Sequence, residues 1–161
     1  MVEHQSLVNL VYHFKKFLGI ENDDRMCQFA NISFDASIEE IAKCLLNGAT
    51  LYPVSTNVIY DYKLFKEFLN THEITMATLP PTYLKHFERS DFPSLKRLIV
   101  AGSASTKELI EPWEDIYINA YGPTENTVGA TMWKFNKEEI LNTVPIGKPI
   151  NNTKAYILNT D

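Results

Sequence analysis

Several residue patterns that define large protein classes are missing from this sequence. Only two of its 161 residues are cysteines, Cys27 and Cys44, and they have neither a metal-site spacing nor a disulfide framework. The four histidines are scattered, without the spacing of metal ligands. No apolar run is long enough to cross a bilayer, and the first residues do not form a signal peptide. We therefore expect a cytoplasmic protein with two buried thiols and no membrane partner.

An excess of basic residues is also missing. The chain has 15 basic and 20 acidic residues, a net charge of −5, which excludes the usual electrostatic footprint of a nucleic-acid-binding protein. With 45% apolar and 22% charged residues, the composition is that of a soluble globular protein. The length suits one domain with a real core.

What is present is an alternation of strand-like and helical patterns. Short apolar segments are followed by segments with helical spacing, and the connections between them are short. This predicts an α/β fold with a mostly parallel sheet flanked by helices. We predict a single α/β subdomain over residues 1–161, alternating up to residue 127 and mainly strands from 128 to 161. The predicted strands are residues 25–30, 50–54, 74–79, 97–101, 116–118, 128–135, 144–146 and 154–158.

Two helices are predicted with particular detail. Apolar residues keep helical spacing over residues 7–18, where Gly19 ends the helix. Ser37 and Glu40 have the spacing of a capping box, which opens a second helix. Its buried face is predicted to carry Ile38, Ile41, Ala42, Leu45 and Leu46, with Glu40 in solvent.

Polar or small residues follow four of the predicted strands. In open α/β sheets, ligands bind outside the carboxyl ends of the strands, so these segments are expected to converge on one site. The segment 121–125 contains an aromatic ring, a hydroxyl and a carboxylate, which suit a base, a phosphate oxygen and magnesium respectively. The four segments are Phe34-Asp35, residues 78–81, Gly102-Ser103 and residues 121–125.

Each part also has a simpler interpretation. Asp35 either binds a ligand cation or caps a helix, and Glu39, four residues later on the same face, either faces the pocket or lies in solvent. The segment 102–105 either holds phosphate or is a turn with Ser105 as the helix cap. Tyr121 either stacks on a base or is a half-buried ring at a strand end.

The run Asn119-Ala120-Tyr121-Gly122-Pro123-Thr124-Glu125 resembles the adenine-binding motif of adenylation domains in nonribosomal peptide synthetases. Four other segments match this family in the same order, and phenylalanine-activating members are especially similar. They are residues 28–37, 78–83, 98–104 and 144–150. The resemblance implies an ATP-dependent ligase that converts an amino acid to an aminoacyl adenylate. The acyl group then passes to the phosphopantetheine thiol of a carrier domain.

The resemblance also implies residue roles. Asp35 would bind the substrate amino group, and Thr124 and Glu125 would be catalytic, with Thr124 on the α-phosphate and Glu125 on Mg²⁺. The nucleotide, ATP, would be bound by Gly102, Ser103, Asn119, Ala120, Tyr121, Gly122 and Thr124. The pocket for the amino-acid substrate would be formed by Asp35, Ala36, Glu39, Thr78, Ile99, Ala101, Ala120, Val128 and Gly129.

Glu39 stands where the phenylalanine-activating members have an aromatic residue. A buried carboxylate is costly without a partner charge, so we expect a substrate with a basic side chain, such as lysine or ornithine. An aromatic amino acid is the second expectation.

The family's phosphate loop, ribose-binding aspartate, hinge and C-terminal lid have no counterpart in these residues. The resemblance therefore implies a piece of a larger synthetase, with carrier and condensation domains as neighbours and no turnover by the piece itself. Two other interpretations stay open. An acyl- or aryl-CoA ligase would not need Asp35, and a non-catalytic binding module would not need Tyr121, Thr124 and Glu125 together.

Overall fold

A seven-stranded, mostly parallel sheet organises the chain in this computed structural model, which describes residues 1–139 and 143–159. The strands are β1 (Arg25–Gln28), β2 (Thr50–Pro53), β3 (Met76–Leu79), β4 (Arg97–Val100), β5 (Tyr117–Tyr121), β6 (Thr131–Lys134) and β7 (Lys148–Pro149). Their order is β2-β1-β3-β4-β5-β6-β7. The first five are parallel, whereas β6 and β7 are antiparallel to their neighbours. The predicted fold class is confirmed.

Six α-helices connect or flank these strands in the described residues. They are α1 (His4–Leu18), α2 (Asp35–Leu45), α3 (Thr56–Ile59), α4 (Tyr62–Thr71), α5 (Pro81–Leu84) and α6 (Lys107–Ile110). Gly19 ends α1 with a positive φ of 62°, as predicted, because a left-handed residue lets the last carbonyls accept hydrogen bonds. Across the described residues, no helix combines the length and apolar character needed to span a membrane.

The sheet has a separate apolar core on each face. Alternate residues of β4 point in opposite directions, so Leu98 and Val100 join one core while Ile99 joins the other. The larger core contains Phe65 of α4 and Trp113, and the smaller one contains Leu10 and Phe14 of α1. The second core lies beneath the segments predicted to form the site.

The predicted buried face of α2 is correct for Ala42, which is buried, but wrong for three of its five residues. Ile38, Leu45 and Leu46 are exposed, whereas Glu39, Glu40 and Lys43 are buried. The capping box is also absent, because α2 begins at Asp35 and the Ser37 hydroxyl donates to the carbonyl of Phe34. Glu39 and Glu40 instead form an ion pair and backbone hydrogen bonds inside the protein.

Two predicted strands near the end of the sequence do not form. In residues 144–146, carbonyls accept side-chain hydrogen bonds instead of strand bonds: Pro145 O from Asn119 Nδ2 at 2.8 Å, and Ile146 O from Thr131 Oγ1 at 2.7 Å. Pro145 also has no amide hydrogen to donate to a ladder. Residues 154–158 are exposed and belong to no strand. The predicted strand 128–135 is shortened to β6.

Candidate functional site

The strand order changes direction at β1, because β2 lies on one side of it and β3 on the other. Such a switch point leaves a crevice at the carboxyl ends of the strands, where open α/β sheets bind ligands. Asp35 begins the helix after β1, and Thr78 lies near the end of β3. A cavity of about 490 Å³ opens at this place.

Most of the residues predicted for the site line this one cavity. All nine residues predicted for the substrate pocket are among them: Asp35, Ala36, Glu39, Thr78, Ile99, Ala101, Ala120, Val128 and Gly129. Six of the seven residues predicted to bind the nucleotide line it as well: Gly102, Ser103, Asn119, Ala120, Tyr121 and Gly122. The segments are far apart in sequence, and the sheet brings them together because each follows or ends a neighbouring strand.

Thr124 and Glu125 lie beside the cavity rather than in its wall. Both are exposed residues of a short 3₁₀ turn, Thr124–Asn126, which follows β5. Thr124 lines an adjoining crevice that shares Asp35 and Val128 with the main cavity. Among the described residues, no group of three or more histidine, cysteine or acidic side chains is arranged for a metal. Magnesium commonly takes one or two protein carboxylates together with substrate phosphates, so Glu125 fits a site shared with a nucleotide.

The turn after β5 is held by close backbone packing. A Cβ on Gly122 would lie only 2.1 Å from the Val128 carbonyl oxygen, so this position accepts no side chain. The absence of a side chain at Gly122 therefore allows its close contact with the backbone of residues 128–130. Thr127 and Val128 both have positive φ, 59° and 66°, which is strained for β-branched residues. Val128 lines the main cavity and Thr127 lines the adjoining crevice, and strained residues at such sites often have a functional role.

The segment 102–105 is anchored from below by β5. Tyr117 is fully buried, and its hydroxyl lies 2.6 Å from the Ser105 hydroxyl. Ser105 is therefore not the helix cap that the sequence suggested; Thr106 caps α6 by accepting from the Leu109 amide. Gly102 has a φ of 95°, a conformation that favours glycine. Ser103 is left exposed at the mouth of the cavity.

Helix α2 places an ion pair at the cavity wall, with Glu39 in the wall and Lys43 behind it. The ammonium group of Lys43 lies 2.7 Å from Glu39 Oε1, and the two side chains are 2% and 5% exposed. Lys43 also donates to the Thr78 hydroxyl at 3.0 Å and lies 5.1 Å from the centre of the Phe14 ring. Sequence reasoning identified Glu39 and Thr78 but missed Lys43 and Phe14. The spacing of four residues between Glu39 and Lys43 was the available signal.

Glu40 is buried, which contradicts its predicted place in solvent. Its Oε2 accepts hydrogen bonds from the Phe29 and Ala30 amides at 3.0 and 2.9 Å, whereas Oε1 is buried without a partner. Burial and the nearby charge of Glu39 raise the pKa of Glu40 to about 8, against the opposing effects of Lys43 and the two amides. Glu40 thus ties α2 to the segment that leads from β1 to Asp35.

Because the pKa of Glu40 is higher in the folded chain than its ordinary value of 4.5, folding should bind a proton. The stabilisation should be complete below pH 4.5 and lost as the pH rises towards 8. A glutamine keeps the acceptor oxygen but cannot ionise. We expect Glu40→Gln to gain stability over the wild type by a few kcal/mol between pH 5 and pH 8, measured by urea unfolding.

Two features make this comparison specific. Burial lowers the pKa of His13, but that histidine is present in both proteins and cancels in the difference. Glu67→Gln, on the exposed side of α4, should follow the wild-type profile. If the free energies of unfolding of the wild type and Glu40→Gln changed with pH in parallel, the assignment of a protonated Glu40 would be contradicted.

Curated relatives resemble the chain over its whole length. It is 48% identical over 161 residues to tyrocidine synthase 2 of Brevibacillus parabrevis, covering 99% of the chain and 4% of that protein. It is 45% identical over 164 residues to tyrocidine synthase 1 of the same species, covering 100% of the chain and 15% of that protein. The chain thus spans a small part of the length of these relatives.

Solved structures share its fold. The Vibrio cholerae adenylation domain AlmE, in complex with glycyl-adenosine-5'-phosphate, has a TM-score of 0.81 and 28% identity, covering 92% of the chain and 30% of that domain. The Klebsiella oxytoca NpsA N-terminal subdomain, in complex with anthranilyl-AMSN, also has a TM-score of 0.81. At 22% identity, covering 94% of the chain and 42% of that structure, it supports the fold alone.

The model of one protein family, described as AMP-binding enzyme, matches residues 1–161. Together with the synthase relatives, this match confirms the resemblance to adenylation domains of nonribosomal peptide synthetases. The chain belongs to the AMP-binding enzyme family.

Proposed function

We propose that these residues form the amino-acid pocket and the base-binding side of an adenylation site. The full protein would use ATP to convert an amino acid into its adenylate and would then load it onto a carrier-domain thiol. The observation that carries this proposal is the cavity of about 490 Å³ at the switch point of the sheet, which is lined by both Asp35 and Tyr121. AlmE, whose structure contains an aminoacyl adenylate, has the same fold.

Asp35 supports recognition of an amine. It is half-buried as the first residue of α2, and it lines the cavity. The lining around it is mostly apolar, so a substrate ammonium group would find its charge partner there. A carboxylic acid without an amino group would offer Asp35 no cation, which disfavours the interpretation as an acyl- or aryl-CoA ligase.

Tyr121 and the 3₁₀ turn after it support binding of the nucleotide. Tyr121 lines the cavity and is 51% exposed as a residue, so its ring is available for a base to stack on. The Asn119 side chain is buried and donates to Pro145, so its contribution is to hold residues 144–146 against the cavity. The exposed carboxylate of Glu125 would hold Mg²⁺, which neutralises phosphate charge when it is bound.

The substrate class is part of the proposal. The expectation of a basic amino acid assumed that Glu39 needs a cation from the substrate. Lys43 supplies a cation from within the chain, which favours the second expectation, an aromatic amino acid. Carrier and condensation domains of the full protein are the proposed neighbours, and we propose no turnover by the 161 residues alone.

Amino-acid-dependent exchange of pyrophosphate into ATP tests the proposal. The full-length protein that carries these residues should exchange pyrophosphate with one or a few amino acids and not with the corresponding acids that lack the amino group. The isolated chain serves as the control and should show no exchange. Equal exchange with amino acids and with their deaminated counterparts would support the CoA-ligase alternative, and none with either would support the non-catalytic module.

A further inference from the structure

Lys43 lies behind the cavity wall and contacts three side chains that form it. Its ammonium group is 2.7 Å from Glu39 Oε1, 3.0 Å from Thr78 Oγ1 and 5.1 Å from the Phe14 ring centre. Glu39, Thr78 and Phe14 all line the cavity. A change at Lys43 therefore alters the charge and shape that a substrate side chain meets.

The ion pair leaves this end of the cavity close to neutral. Lys43 balances Glu39 at short range, and the contact is a close ion pair rather than an aligned hydrogen bond. Glu40, the next acidic group on α2, is held largely protonated by its raised pKa at neutral pH. A substrate cation placed beside Glu39 would also lie near Lys43, and the repulsion would offset most of the attraction.

The rest of the wall favours an apolar side chain. Besides Phe14, it contains Ala36, Ile99, Ala101 and Ala120, and its surface is mostly apolar. Burying an aromatic ring there recovers a large hydrophobic free energy, whereas a lysine side chain would lose hydration without an unpaired anion to bind. A tyrosine hydroxyl or an indole N–H would additionally give the Glu39 carboxylate a neutral donor.

We infer that Lys43 is a specificity-determining residue, which keeps Glu39 from binding a basic substrate and thereby directs the cavity towards aromatic amino acids. This inference rests on the proposed function, since it concerns the substrate of the same site. Lys43 acts through Glu39 and Thr78, so it is a positioning residue and not a catalytic one.

The test compares kcat/KM for phenylalanine, tyrosine and tryptophan with that for lysine and ornithine in the full-length protein. The wild type should prefer an aromatic amino acid. Lys43→Met leaves Glu39 without its cation, and the ratio should shift towards lysine or ornithine by about tenfold or more. Glu39→Gln combined with Lys43→Met removes both charges and should restore the aromatic preference.

Lys15→Met is the matched control, since Lys15 is exposed on α1 and should leave the ratio unchanged. The ratio of kcat/KM values is the decisive measurement, because a merely structural defect would lower kcat/KM for all substrates together. A wild-type preference for lysine or ornithine would overturn the inference even if Lys43→Met failed to fold. An unchanged ratio in folded Lys43→Met would also overturn it. If the full-length protein exchanged pyrophosphate with no amino acid at all, the proposed function would be wrong, and this inference would be wrong with it.

Discussion

Replacing Asp35 by asparagine should lower kcat/KM for the preferred amino acid by about 100-fold or more. Asparagine has nearly the same shape but carries no charge, so the substrate ammonium group would be desolvated without an anion to pair with. Losing one partner of a buried charge pair costs about 2–5 kcal/mol. Pyrophosphate exchange by the full-length protein measures the effect.

A deaminated substrate makes this prediction specific to the amine. The wild type should discriminate strongly between the amino acid and the corresponding acid without the amino group, and Asp35→Asn should lose most of that discrimination. Asp23→Asn, at an exposed position ahead of β1, is the matched control and should retain wild-type kinetics. If Asp35→Asn keeps both its rate and its discrimination, Asp35 does not bind the amine.

Removing the charge of Asp24 should cause the largest loss of stability. This carboxylate is 2% exposed and lies 2.8 and 3.0 Å from Arg97 Nη1, while Thr75 and the Glu21 amide donate to it at 2.7 and 2.9 Å. Arg97 also donates to the carbonyl of Gly19, so the cluster joins the end of α1 to β1 and β4. We expect Asp24→Asn to reduce the free energy of unfolding by about 3 kcal/mol, measured by urea denaturation of the 161-residue chain.

The effect of Asp24→Asn should depend on pH in a known direction. Burial alone would raise the pKa of Asp24, but the Glu21 amide, the Thr75 hydroxyl and Arg97 outweigh it and lower the pKa below 3.8. The stabilisation is therefore present above pH 3.8 and lost as the pH falls through the lowered value. Glu73→Gln removes an exposed pair with Arg25 and should cost less than about 1 kcal/mol. Equal losses in the two variants would contradict this assignment.

Much of the sheet can be predicted from local patterns of apolar residues in the sequence. The apolar segments that became β1, β3 and β4 were predicted within one or two residues, because a strand buried on both faces has an apolar character that its neighbours lack. The predicted parallel strands also explain why Asp35, Thr78, Gly102 and Tyr121 meet at one cavity. The carboxyl ends of parallel strands lie at the same edge of the sheet.

The interior of α2 could not be predicted in this way. Hydrophobic periodicity assigns its apolar residues to the core, whereas Glu40 is buried because two backbone amides 10 and 11 residues away donate to it. Lys43 is buried because Glu39 balances its charge and the Thr78 hydroxyl, 35 residues away, accepts a hydrogen bond from it. Apart from Glu39, which lies one helical turn from Lys43, these partners are brought near only by the complete fold. Hydrophobic periodicity also does not show that Lys43 is buried beside Glu39 and supplies a cation from within the chain.

The central claim, that these residues contain the amino-acid pocket, is tested most directly by exchanging segments between proteins. Tyrocidine synthase 1, which is 45% identical over 164 residues, is a suitable recipient, with its aligned segment replaced by this chain. Pyrophosphate exchange should then show the amino-acid preference of the full-length protein that carries these residues. An active hybrid that keeps the preference of the recipient would contradict the claim.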